Sequence, residues 1–259
     1  MLFRSAKYSI TKTPINKNDV ATLKEVVEVL KQFSAFGHFE EMTEIVTKLD
    51  NKIQKAANKN PSYIQFESNH LLKGIAYLSP LYQAILRKQT LEISYKSFKA
   101  RGVNTFIYYP YLLKEYRNRW FLIARQKDSA NISILALDRI VSFEIIENEL
   151  FEAHIGLDFE TFFADVIGVS KSEKDAIQKI ILKFDSSTAP YILTKPLHSS
   201  QIILSEDEYH TTIQITVVLN PELEREIIGF AETVQVLHPP ILVRRMCKKI
   251  EATLALYQS

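Results

Sequence analysis

Four arginines near the middle of the chain carry the side chain best suited to holding an anion. Arg117, Arg119 and Arg125 lie close together in sequence, and Arg139 follows Asp138. A guanidinium group is a planar fork that binds phosphate or carboxylate through two hydrogen bonds and stacks on bases. The alternative for each arginine is an exposed surface side chain with an apolar stem. For Arg139 it is a structural contact with Asp138 or another acid.

Aromatic and hydroxyl side chains accompany these arginines. In single-stranded nucleic-acid sites, stacking on an aromatic ring contributes about 1–3 kcal/mol per base. The alternative is a place in the core, which applies above all to Trp120. Arg119 and Arg125 share strand parity and would lie on one face of a strand. The predicted ligand-binding residues are Tyr95, Ser97, Arg101, Tyr109, Arg117, Arg119, Trp120, Arg125 and Arg139.

The charge of the chain is concentrated around these residues. The net charge is +2, but the segment from Tyr95 to Lys127 has eight basic residues and one acid, Glu115. A local basic patch rich in aromatic residues on a nearly neutral protein favours a site for an anionic ligand over a general DNA-coating surface. The alternative is a solvated face of a β-rich domain.

Catalytic and metal-binding patterns are weak. The chain has 6 glycines and no Gly-rich phosphate loop, and its 6 histidines are scattered without metal-ligand spacing. The single cysteine, Cys247, is interpreted as a small apolar residue in a helix. We therefore expect no cofactor, no metal and no enzymatic activity.

The composition is that of a cytoplasmic globular protein. Hydrophobic residues make up 46% and charged residues 24% of the chain, which is ordinary for a globular protein. No apolar run approaches the roughly 18 residues of a membrane span, and the first residues do not resemble a signal peptide. One cysteine allows no intrachain disulfide, which fits a reducing compartment.

The periodicity of apolar residues predicts an α+β fold. Residues 1–75 have helical spacing, with one helix around Val20–Phe33 and another around Phe39–Ile53, and a third helix is expected to start at Ser79-Pro80. Residues 76–148 are predicted to form a small five-stranded barrel of SH3 or Sm type. Its strands are predicted at 90–97, 104–110, 119–126, 131–137 and 140–146.

The remainder is predicted to be a connector and a second domain. Residues 149–177 are the connector, and residues 178–259 have the order β-α-β-β-α-β, which is typical of a ferredoxin-like α/β domain. Asn220-Pro221-Glu222 is a strong helix start. The final helix, 240–257, has one apolar face that would pack on the sheet or on a partner subunit.

Several segments resemble the WYL domain. Trp120-Phe121-Leu122 is similar to the Trp-Tyr-Leu signature of that family, with Phe at the centre, and residues 91–95, 109–113 and 135–140 extend the resemblance. Residues 163–257 are similar to the C-terminal extension that often follows this domain. Residues 1–75 resemble the helical segment that joins it to a winged helix-turn-helix.

The resemblance implies a function. WYL domains occur mainly in bacterial transcription regulators and are thought to sense ligands. We expect a homodimeric regulator that binds an anionic effector, single-stranded nucleic acid or a nucleotide, through the basic barrel. The winged helix-turn-helix that contacts DNA is expected to be absent, and Tyr109 stands where relatives are expected to have histidine. The alternative is an assembly module that binds a protein partner and no small ligand.

Overall fold

The structure is a computed structural model that describes residues 72–156, 158–171 and 175–258. The chain divides into two compact units, residues 1–81 and 82–259. The two helices predicted around Val20–Phe33 and Phe39–Ile53 lie outside the described residues. Helix α1 spans Leu78–Leu86 and contains the predicted start at Ser79-Pro80.

The first sheet is antiparallel, with five strands in the order β4-β3-β2-β1-β5. The turn between β2 and β3 has Arg117 and Asn118 at positive φ, +51° and +61°, as a type I′ hairpin turn requires. The strands are β1 Thr90–Tyr95, β2 Asn104–Tyr116, β3 Arg119–Gln126, β4 Ile132–Ala136 and β5 Ile140–Ile146.

Strand β2 continues beyond its predicted end at Pro110, as far as Tyr116. Pro110 lies opposite Ala124, and the register then shifts so that Leu112 is opposite Ile123. This irregularity accommodates a proline, which has no N–H for the ladder, inside a long strand. The sequence pattern breaks at the proline, and the strand does not.

The closed barrel predicted for this region is not formed. Strands β4 and β5 lie at the two edges of the sheet. A 3-10 turn, Leu137–Arg139, separates them, and β5 pairs with β1 while β4 pairs with β3. Closure requires a ladder between the edge strands, and none joins β4 to β5 among the described residues. The turn takes its three residues out of the strand conformation and directs β5 to the opposite edge.

The second sheet has four antiparallel strands in the order β7-β8-β6-β9. Its elements follow the predicted order β-α-β-β-α-β with a final helix. They are β6 Ile177–Asp185, α2 Ala189–Thr194, β7 Ile202–Glu206, β8 His210–Val218, α3 Pro221–Ile228, β9 Val234–His238 and α4 Pro240–Tyr257. Alternate residues of β6 and β8 pack with α3 and α4 in the core, among them Ile180, Leu182, Phe184, Ile213, Ile215, Leu223 and Leu242.

Helix α3 begins as its sequence predicts. The side chain of Asn220 accepts a hydrogen bond from Leu223 N at 2.8 Å, and Pro221 occupies the first turn. Further along α3, the buried carboxylate of Glu224 pairs with Arg245 at 3.2 Å and Lys249 at 2.6 Å, both on α4. These ion pairs hold the two helices together.

The end of the connector is held against the second sheet. Val218 N, at the last residue of β8, donates to Asp165 O of the connector at 2.8 Å. The side chain of Asn220 donates to Ile167 O at 2.8 Å and to Ser170 O at 3.0 Å. The capping residue of α3 therefore also fixes the connector.

A candidate anion-binding face

The basic residues of the first sheet fall into two groups with different partners. One group surrounds Arg139, at the turn between β4 and β5, and includes the loop 96–103 between β1 and β2. We call it the Arg139 face: Tyr95, Phe98, Arg119, Asp138 and Arg139 with that loop. The other, the Arg125 cluster, contains Tyr109, Tyr111, Arg125, Lys127, Glu149 and Glu152.

Arg139 is held in place by its backbone and by an aromatic ring. Its carbonyl accepts a hydrogen bond from Lys96 N at 3.0 Å, and its guanidinium lies 4.3 Å from the centre of the Phe98 ring, within the range of a cation–π contact. Its Nε is buried and has no hydrogen-bond partner among the described residues. A buried donor without an acceptor costs free energy, and this Nε is such a donor within the described structure.

Asp138 pairs with Arg119 and not with Arg139. Arg119 Nη2 lies 3.4 Å from Asp138 Oδ2, and the Arg119 side chain is 44% exposed. Tyr95 supports the same turn, because its hydroxyl accepts a hydrogen bond from Ala136 N at 3.3 Å. Asp138 is therefore paired with Arg119, and the structural ion pair that was the alternative for Arg139 is not formed with Asp138.

The loop 96–103 adds exposed positive charge beside Arg139. Lys96, Lys99 and Arg101 are exposed, and none has a carboxylate partner within the described part of the chain. Ala100 N donates to Ser97 O at 3.0 Å, which closes a tight turn that contains Phe98. The face therefore combines unneutralised cations with an exposed aromatic ring.

In the Arg125 cluster the cations already have acidic partners. Arg125 pairs with Glu152, donates to Ser129 O at 3.1 Å and lies 4.9 Å from the centre of the Tyr109 ring. Lys127 pairs with Glu149 at 2.6 Å, and this bond is the main reason that the pKa of Glu149 is lowered. Since both acids belong to the connector, the cluster binds the connector to the first sheet.

Tyr109 is the buried centre of this cluster. Its side chain is fully buried, and its hydroxyl donates to Glu149 at 2.9 Å and more weakly to Glu152 at 3.4 Å. Burial raises the pKa of Tyr109, and the hydrogen bond to Glu149 raises it further. The structure therefore places Tyr109 in the core, where it is not open to a ligand.

We expect Tyr109→Phe to reduce the free energy of unfolding by about 1.5–3 kcal/mol at pH 8, because it removes a hydrogen bond to a charged acceptor. The folded state holds the pKa of Tyr109 above the unfolded value of about 10. As pH rises through 10, the unfolded chain loses this proton first and the wild type loses stability. The difference in the free energy of unfolding between wild type and variant, measured by urea unfolding, should therefore become smaller from pH 9 to pH 11.

A matched control for that comparison is Tyr257→Phe, whose side chain is 84% exposed. It should change stability little at any pH, since an exposed hydroxyl is hydrated in both states. A Tyr109→Phe deficit that stayed constant across the same pH range would contradict the assigned role of the hydroxyl.

Two predicted site residues lie apart from both groups. Arg117, at the β2–β3 turn, hydrogen-bonds to Glu226 of α3 and so joins the first sheet to the second. Trp120 is half-buried and lies opposite Glu115 on β2. Neither contacts Arg139 through a bond or ring contact in the described structure, so the nine predicted residues do not form one site.

Phe98 and the two connector acids were not among the predicted site residues. Phe98 could have been found from the sequence, because it is an aromatic residue between Lys96 and Lys99 in a predicted loop. Glu149 and Glu152 had none, since Tyr109 and Glu149 are 40 residues apart and no local spacing links them.

The described residues contain neither a candidate membrane-spanning helix nor a candidate metal-binding group. No helix there is long and apolar enough to cross a membrane. No group of three or more histidine, cysteine or acidic side chains there is arranged to hold a metal ion.

Comparison with known proteins identifies both halves of the described structure. The WYL domain matches residues 76–145 and the WCX domain matches residues 176–254. None of the curated proteins matches the chain.

Two solved structures are similar to the chain. One is proteasome accessory factor B/C (PafBC) of Arthrobacter aurescens, with 18% identity and a TM-score of 0.34 over 93% of this chain and 36% of that chain. The other is a CRISPR Cas-related protein, with 10% identity and a TM-score of 0.43 over 71% of this chain and 52% of that chain. The chain therefore spans between a third and about half of the length of these two proteins. The matches to the WYL and WCX domains confirm the resemblance seen in the sequence: the chain contains a WYL domain followed by a WCX domain.

Proposed function

We propose that this chain is the ligand-sensing part of a WYL-type transcription regulator, and that its Arg139 face binds an anionic effector, single-stranded nucleic acid or a nucleotide. The observation that carries the proposal is the guanidinium of Arg139. It is fixed against Phe98, and its buried Nε has no acceptor in the described structure. A phosphate oxygen would pair with this guanidinium, which no carboxylate of the described residues neutralises.

The contrast with Arg125 supports this location. Arg125 is bound by a carboxylate, a carbonyl and a ring, and its side chain is only 15% exposed. A ligand would have to displace Glu152 to reach it. At the Arg139 face, the cations of the loop 96–103 are exposed and have no acid to displace among the described residues. Of the predicted ligand-binding residues, Tyr95, Ser97, Arg101, Arg119 and Arg139 are therefore retained.

The finer architecture belongs to the same proposal. The predicted helical linker, residues 1–75, lies almost wholly outside the described residues. We assign residues 76–148 to an SH3- or Sm-like WYL domain, 149–177 to the connector and 178–259 to a ferredoxin-like domain. The strand order β7-β8-β6-β9 supports the last assignment, because a split βαβ unit places one strand between two parallel ones. The regulator would be cytoplasmic and non-enzymatic, would form a homodimer, and would contact DNA through a winged helix-turn-helix.

The test is equilibrium binding of fluorescein-labelled single-stranded DNA and RNA, followed by fluorescence anisotropy at two salt concentrations. We expect binding whose logarithmic salt dependence has a slope of about −0.7 for each phosphate contact. Unlabelled nucleotides, added as competitors, distinguish a short effector from a polymer. The absence of an anisotropy change with both probes at both salt concentrations would contradict the proposal.

The alternative, an assembly module without a small ligand, would use an apolar face of α4 that the homodimer of the first proposal would also cover. On α4, the side chains of Ile250, Leu254 and Tyr257 share one face and are 58%, 53% and 84% exposed. A second copy of the chain would cover this face. The alternative requires that substitutions on this face abolish function and that loss of Arg119 and Arg139 leave it intact.

A further inference from the structure

The ring of Phe98 is presented to solvent by a fixed loop. Its side chain is 73% exposed. The residues around it are anchored by two backbone hydrogen bonds of 3.0 Å, from Lys96 N to Arg139 O and from Ala100 N to Ser97 O. The ring therefore stands at a defined place beside Arg139 and is not buried in a core.

Contact with Arg139 uses only part of the ring. A guanidinium stacked at 4.3 Å covers part of the ring, and the high exposure of the side chain means that most of its surface is still open. An open aromatic face between cations is the arrangement that single-stranded nucleic-acid sites use, with bases on the rings and phosphates on the basic groups. A simple inorganic anion would gain nothing from the ring.

We propose that Phe98 is a stacking platform for a base of the effector, with Arg139 beside it to bind the adjoining phosphate. This inference rests on the proposed function and narrows it, because it requires a nucleobase on the anion. It further implies tolerance of base identity, since every base has a π-face and neither Phe98 nor the arginine stack reads a hydrogen-bonding edge. The loop 96–103 would then contribute positive charge and no base specificity.

The test compares two labelled probes of equal charge: a single-stranded oligothymidylate, and the same backbone in which each thymine is replaced by an abasic site. With the wild type we expect the abasic probe to bind about tenfold more weakly, as the loss of one stacked base implies. With Phe98→Ala this preference should shrink to less than about twofold, and Phe98→Leu should behave in the same way. Phe98→Trp should keep it.

The matched control is Tyr191→Ala. Tyr191 lies on α2 and is 73% exposed, like Phe98, so the control removes an equally exposed ring from the second sheet's side of the protein. It should keep the full preference for bases. Because Phe98 is exposed, its variants are expected to fold, and far-ultraviolet circular dichroism with urea unfolding checks this.

The outcomes separate this inference from the function on which it rests. If Phe98→Ala keeps the tenfold preference while Arg139→Ala lowers affinity for both probes, the stacking role is wrong and the anion site stands. If the wild type binds both probes equally, stacking is likewise overturned. If the wild type binds neither probe, both proposals fail.

Discussion

Gly168→Ala is expected to lower the free energy of unfolding by about 2–5 kcal/mol. Gly168 has φ of +89°, and a Cβ there would lie 2.6 Å from Glu222 Cγ and 2.8 Å from Glu222 Cβ. A side chain in this backbone conformation costs about 1–2 kcal/mol. Overpacking adds about 1–3 kcal/mol.

Glu222 has little freedom to move away from an added methyl group. It is almost fully buried, and its Oε1 accepts a hydrogen bond from Ser170 Oγ at 2.7 Å. Glu222 is the second residue of α3 and directly follows Pro221. The N-cap of this helix, Asn220, also holds the connector. Moving Glu222 would therefore disturb both the helix start and the connector.

Two other glycines separate the contributions to this effect. Gly156 has a similar φ of +87°, but a Cβ added there would have no atom within 4 Å, so Gly156→Ala should cost only the strain of the backbone conformation, about 1–2 kcal/mol. Gly102 has neither a positive φ nor a close neighbour, and Gly102→Ala should be nearly neutral. Urea unfolding of the three variants gives the comparison. Equal losses at Gly156 and Gly168 would contradict the steric account.

The second sheet was largely predictable because its signals are local. Strands β6 and β8 alternate apolar and polar residues, and Asn220 with Pro221 marks the start of α3. Alternation and capping depend on residues that are close in sequence, so they can be recognised without knowledge of the tertiary structure. The connector's docking was not predictable, since the contact of Asn220 with Ile167 spans 53 residues.

The first sheet shows where local reasoning fails. Arg119 and Arg125 have the same parity on β3, and yet they pair with different acids. Arg125 pairs with Glu152, which follows β5, and Arg119 pairs with Asp138, which precedes β5. The closed barrel failed for the related reason that a three-residue turn decides which edge β5 joins.

Arg139→Ala is expected to weaken binding of single-stranded DNA by about tenfold or more and to leave the fold intact. A charge-assisted hydrogen bond is worth about 1.5–3 kcal/mol, and about 1.4 kcal/mol corresponds to a factor of ten. The Nε of Arg139 has no hydrogen-bond partner among the described residues, and its guanidinium rests on the Phe98 ring. Little native structure therefore depends on it.

Arg125→Ala is the informative contrast. This change removes the same charge but breaks the contacts with Glu152, Ser129 and Tyr109. We expect it to lower stability and to change affinity much less than Arg139→Ala does. Arg244→Ala, at an exposed position on α4, controls for the loss of net charge.

The most direct measurement is therefore the salt-dependent anisotropy titration of labelled single-stranded DNA with the wild type, Arg139→Ala, Arg125→Ala and Arg244→Ala in parallel. If the Arg139 face binds the anion, only Arg139→Ala lowers affinity by about tenfold and reduces the magnitude of the salt slope by about 0.7, the value for one phosphate contact. If Arg139→Ala binds as tightly and with the same salt slope as Arg244→Ala, the Arg139 face is not the binding site.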